Sequence, residues 1–128
     1  MKITTLILLA LVCCSCSKHA TLQDLPKEPI SITEARFYED GGSIGILGTD
    51  GNGRKFDLFL YNGLEKSPNV RPYFILGTTE PEKKKGMVVG IDSAEEKALI
   101  LAFRNFLNST TVKSDERNAA ETILELLK

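Results

Sequence analysis

Cysteine is the first scarcity in this chain. There are three, at positions 13, 14 and 16, and none after residue 16. Everything beyond that point therefore has no disulfide framework and no Cys-ligated metal or cluster. Histidine is scarcer still. His19 is the only one, so neither a His-based metal cluster nor a His-activated nucleophile can be assembled. Neither sign of charge dominates, since 16 Lys and Arg against 17 Asp and Glu leave a formal net charge of −1. No strong basic excess points to nucleic acid, and no strong acidic excess points to a charge-mimicking inhibitor. A phosphate loop is also missing. Gly41, Gly42, Gly45 and Gly48 cluster, but strand-like residues surround them and no Gly-Lys-Ser/Thr follows. Asp50, Asn52 and Asp57 alternate as calcium ligands do. The EF-hand order then fails, with Arg54, Lys55 and Tyr61 at its fifth, sixth and twelfth positions, and a glycine-rich turn accounts for the stretch. No metal and no cofactor is expected.

Long apolar runs are rare too, and the one present is at the N-terminus. Lys2 precedes Ile3 to Val12, which is apolar apart from Thr4 and Thr5, and small residues follow. A bilayer span needs roughly 20 apolar residues, and this run ends well short of that. The order of positive, apolar and small residues is that of a secretory signal, residues 1–15. With its cysteines at the end of the apolar stretch, the segment resembles the lipobox of bacterial lipoprotein precursors. The resemblance covers about the first seventeen residues. It implies cleavage before a cysteine that carries lipid, and hence membrane lipid as a partner through an N-terminal acyl anchor. Cys16, with Ser15 directly before it, is the expected attachment residue. Cys14, with Leu11 three places before it, is the alternative. Two or more acyl chains hold stably where one binds reversibly. The expected location is the bacterial cell envelope. Where the host has two membranes, Ser17 after Cys16 resembles a residue that permits the outer one.

Residues 16–29 are polar, with Pro26 and Pro29, and read as a lipid-anchored tether carrying His19 in solvent. Residues 30–128 read as a single α+β domain. Ile30–Tyr38, Ser43–Gly48, Arg54–Tyr61, Pro72–Gly77 and Met87–Ile91 predict an antiparallel meander of four to five strands over about 30–91. Glu39–Gly42, Asp50–Gly53, the loop Asn62–Arg71 and the charged turn Thr78–Gly86 join them. Gly45, inside a strand, marks a bulge or a place where another element lies close. The period then changes. Ser93 and Glu96 fit a capping box, and Leu99, Ala102, Phe103, Phe106 and Leu107 form one apolar stripe, predicting a helix over about 93–108. Ser114 or Asp115 caps a second over about 114–127, with Ala119, Ala120, Ile123, Leu124 and Leu127 on one side.

Candidate chemistry is thin. Glu80, Glu82, Asp92, Glu95 and Glu96 are the only grouped carboxylates with acid–base potential, and a turn and a helix dipole explain them without catalysis. Lys83, Lys84 and Lys85 make a local basic run suited to anionic headgroups or wall polymers. Several strands are apolar on both faces, and one helix layer covers only one of them. Unless the second helix or the Ile30–Tyr38 segment covers the other face, Phe59, Tyr61 and Tyr73 mark a candidate partner surface. The sequence therefore predicts a membrane-anchored, non-catalytic binding domain with an envelope protein as partner. A small carboxylate hydrolase and a purely structural lipoprotein are the alternatives.

Overall fold

The computed structural model describes residues 19–38, 43–61 and 71–127. The signal peptide, Cys14, Cys16, the Glu39–Gly42 turn and residues 62–70 of the long loop lie outside the described residues. Five strands, β1 (Ser31–Phe37), β2 (Ser43–Thr49), β3 (Lys55–Tyr61), β4 (Tyr73–Thr79) and β5 (Lys84–Val88), form one antiparallel sheet in the order β1-β2-β3-β4-β5. Two helices come after them, α1 (Ala94–Ser109) and α2 (Ser114–Leu126). The fold is thus α+β, a meander capped by a helical pair.

Alternation in β3 decides which face becomes core. Phe56, Leu58 and Leu60 point one way and are buried, across from Ile44 and Ile46 on β2 and from Phe74 and Leu76 on β4. Leu99, Phe103 and Leu107 of α1, with Ala120, Ile123 and Leu124 of α2, close over them. Of the stripe residues, Phe106 packs against this layer only partly buried, and Ala119 is exposed. Among the described residues no helix is long and apolar enough to cross a membrane.

The structure corrects three expectations. β5 starts at Lys84 and ends at Val88, three residues ahead of the apolar run that suggested it. A tight turn over residues 80–83 returns the chain early, with Lys83 (φ 51°) and Gly86 (φ 76°) in the left-handed region. Lysines then fill an edge strand, where charge discourages pairing with another chain. The helix caps are the second. Ser93 Oγ accepts the Glu96 amide at 3.1 Å as expected, but Glu96 Oε1 reaches past Ser93 to the Asp92 amide at 3.1 Å and takes the Arg71 guanidinium at 2.6 Å. For α2 neither Ser114 nor Asp115 serves as cap, because Lys113 holds that position without a side-chain bond.

The third correction concerns the tether. From residue 20 onward it is part of the packed body. Leu25 is 2% exposed and sits in the core. A single helical turn over Leu22–Asp24 is closed by Asp24 Oδ2, which accepts from the Thr21 amide at 2.7 Å. The β2–β3 turn grips the chain on either side of Leu25. Asp50 Oδ2 accepts the Lys27 amide at 3.2 Å, and the Gly51 amide donates to the Lys27 carbonyl at 2.6 Å. Arg54 donates to the carbonyls of Gln23 and Leu25 at 3.3 and 3.2 Å. At the far end the Ala20 amide donates to Lys85 on β5 at 3.3 Å, and His19 pairs with Lys85 in parallel.

Candidate functional site

Among the described residues all helical cover lies on one side of the sheet, and no helix covers the opposite face. The register fixes what that face presents. One row crosses the sheet as Arg36, Gly45, Phe59, Ile75 and Val88. On one side of it runs Ser43, Tyr61 and Tyr73, and on the other Glu34, Leu47, Asp57, Thr78 and Lys85. The three residues singled out from sequence therefore come together. Phe59, Tyr61, Tyr73 and Ile75 are half-buried against one another, while Tyr38 and Val88 stay 45% and 55% exposed at the two edges. The Tyr61 and Tyr73 rings meet edge to face, with centroids 5.6 Å apart, a preferred aromatic geometry.

Two glycines make the rings fit. A Cβ on Gly45 would stand 3.3 Å from the Tyr38 hydroxyl, so the Tyr38 ring lies across the bare backbone there. The close approach expected at Gly45 is this ring, and β2 carries no bulge at that point. On β4 the Phe59 ring edge lies 3.1 Å from the Cβ position of Gly77. Gly77 is also the extra residue of a bulge opposite Asp57 and Leu58. A second bulge falls between Ile32 and Glu34 on β1. Bulges re-aim side chains and gather at functional sites. Neither is visible in the sequence, because an extra residue leaves the apolar alternation of the neighbouring strand unchanged.

Between the bulges the open face sinks into a hollow of about 420 Å³, lined among others by Thr33, Leu47, Asp57, Thr78 and Glu80. Burial raises the Asp57 pKa, and the nearby Arg36 guanidinium only partly opposes it, so the carboxyl sits above its ordinary value. From the sequence Asp57 is no more than a failed calcium ligand. Its place as a partly desolvated acid in a hollow depends on the bulges. A larger hollow, about 540 Å³, lies between the helices. Asn108, Asn118, Glu121 and Thr122 line it from the helices' exposed sides.

The grouped carboxylates do not gather at one site, although Asp92 and Glu96 share the Arg71 guanidinium at 3.4 and 2.6 Å. Glu80 and Glu82 sit at the β4–β5 turn, and Glu82 pairs with Lys84 at 3.0 Å. Asp92, Glu95 and Glu96 sit at the start of α1, where Glu96 is 1% exposed and bound to Arg71. Among the described residues no three His, Cys, Asp or Glu side chains gather as metal ligands. Two buried acids, Asp24 in the docked N-terminal segment and Asp50 in the β2–β3 turn, serve that docking. Burial works to raise the Asp50 pKa, but the amides of Arg54, Lys27 and Asn52 and the Arg54 side chain outweigh it and hold the carboxyl below its ordinary value. Asp24 is lowered likewise: burial opposes, and the Thr21 amide and Lys84 prevail.

What the arrangement offers is a surface. Its centre is aromatic and aliphatic, and its rim carries both signs of charge in Glu34, Arg36, Asp57 and Lys85. Comparison with protein-family models, with curated proteins and with solved structures gives no match to this chain.

Proposed function

We propose that this protein is a bacterial envelope lipoprotein, held by acyl groups on Cys16, whose body is a non-catalytic interaction domain. The open face of its sheet takes an envelope protein. The observation that carries this reading is the half-buried patch of Phe59, Tyr61, Tyr73 and Ile75, which neither helix covers. Its apolar, aromatic centre and polar, mixed-charge rim match the make-up of protein interfaces. Nucleic acid would instead require a basic stripe. The lipid rests on the lipobox-like end of the signal segment.

A second reading, an envelope hydrolase, has one observation behind it: Asp57 and Glu80 line the same hollow. No hydrogen bond joins the two carboxyls among the described residues, and Glu80 is exposed. Acid–base pairs work within hydrogen-bond reach of a common substrate atom, and the open hollow does not bring them there.

The test is cross-linking in cells, with a photoreactive residue replacing Ile75 on the open face or Leu101 on α1. The expected result is a discrete adduct with one envelope protein from position 75 and none from 101. An adduct of twice the chain's own mass would assign the face to a second copy. No adduct from position 75 would leave a purely structural lipoprotein.

A further inference from the structure

The docked N-terminal segment leaves very little free chain between the lipid and the body. His19 already pairs with Lys85 on β5, so only Ser17 and Lys18 separate Cys16 from a fixed point on the sheet edge. Three residue steps span at most about 11 Å. The polar layer of a bilayer is roughly 5–8 Å deep on each side, and the Debye length is about 8 Å at physiological salt. An acyl anchor on Cys16 would thus hold the β5 edge inside the field of the headgroups.

The residues at that edge are suited to it. Lys84 is already committed, at 3.3 Å from Asp24 and 3.0 Å from Glu82. Glu80 faces the hollow of the open face. Lys83 and Lys85 flank these pairs, are exposed, and have no ion-pair partner among the described residues. With Pro81 and Glu82 they line an open depression of about 410 Å³ at the tip of the turn. Lys83 holds a left-handed backbone (φ 51°), which glycine would adopt at less cost.

We propose that the β4–β5 turn rests on the membrane, with Lys83 and Lys85 contacting anionic phospholipid headgroups. The domain then stands on its β5 edge instead of hanging from a flexible leash. Its open face is turned sideways, along the membrane, toward a neighbour in the same leaflet. This rests on the lipid anchor proposed above and adds an orientation to it. At about 1 kcal/mol per lysine near an anionic surface, each charge favours the seated state about fivefold and both together about thirtyfold.

The acylated full chain is reconstituted into vesicles of phosphatidylcholine alone or with one third phosphatidylglycerol. Lysines are then modified with a membrane-impermeant amine reagent and read by mass spectrometry. Modification of Lys83 and Lys85 should fall at least fivefold in the anionic vesicles and recover at high salt, while Lys97 and Lys113 stay unchanged. Lys83→Gly removes one charge and relieves the backbone, so the protein should fold at least as stably while Lys85 loses most of its protection. Equal modification in both vesicles overturns the seating and leaves the anchor intact. Protection found in cells but in neither vesicle gives the lysines to an anionic wall polymer and also overturns it. A chain that carries no acyl group overturns anchor and seating together.

Discussion

Replacing Asp50 by alanine tests how the N-terminal segment is held. Its side chain is 1% exposed and accepts the amides of Asn52 and Arg54 at 3.0 Å each, the amide of Lys27 at 3.2 Å, and the Arg54 guanidinium at 2.9 Å. Hydrogen bonds to a charged group contribute about 1.5–3 kcal/mol each. They are not additive here, because Asn52 is exposed and Arg54 keeps part of its hydration. The Arg54 and Lys27 bonds dominate, and the expected loss is about 3 kcal/mol, comparable to breaking a buried ion pair. A domain of this size would melt on the order of 12–20 °C lower. Urea unfolding measures the global loss. Trypsin cleavage after Lys27 measures release of the segment, which should increase strongly.

Gly51→Ala separates geometry from charge. A Cβ there would fall on the Glu28 carbonyl oxygen, so this variant should also expose Lys27 while keeping the Asp50 carboxylate and its bonds to the Asn52 and Arg54 amides. Gly53→Ala has open space around its Cβ but a φ of 76°. It should cost about 1 kcal/mol, for the left-handed backbone alone, and leave Lys27 protected. A loss below 1 kcal/mol for Asp50→Ala, or a larger loss with Lys27 still resistant, would refute the docked segment.

Other consequences can be measured in the same way. Phe103→Ala empties a site that is 0% exposed between helix and sheet and should cost about 3–5 kcal/mol in urea unfolding. Arg71→Met strands the buried Glu96 carboxylate, whose Oε2 already lacks a partner, and should cost about 3 kcal/mol by the same assay. Asp57→Asn should raise stability at neutral pH by a few tenths of a kcal/mol, since the carboxyl is held above its ordinary pKa but is largely screened by solvent. The gain should vanish as acid protonates the wild type. Asp24 and Asp50 have the opposite sign. Their folded pKa values lie below the ordinary carboxylate value of 3.8, so the stability they confer is complete above that value and drains away as pH falls through the lower folded values. Acid titration of Asp50→Ala should show a shallower loss than the wild type below pH ~4.

The meander and the helical pair are legible in the sequence because each signal is local. Phe56, Leu58 and Leu60 alternate, Asp50 to Gly53 turns, and Ser93 to Leu107 caps and repeats at helical spacing. The hidden features depend on distant partners. Leu25 is a lone apolar residue among polar ones, with no period to betray it, and it is buried only because the β2–β3 turn captures the backbone on either side. Asp50 looks like a turn former, and its grip on Lys27 spans 23 residues. β5 starts ahead of its apolar run because Lys84 and Lys85 already carry the ladder, while the Val89 amide still donates to the Phe74 carbonyl at 2.8 Å and its side chain enters the core. The apolar face away from the helices is legible as strands apolar on both sides. The hollow around Asp57 is not, since it depends on two bulges.

A body held at a membrane through Cys16 is the central claim, and an acyl-labelling experiment tests it most directly. Cells expressing the full chain would be fed an alkyne fatty acid, and label would be followed in the wild type, Cys14→Ala and Cys16→Ala. Label in the wild type and Cys14→Ala but not in Cys16→Ala is the predicted result. An unlabelled wild type, or label retained in both variants, would contradict it.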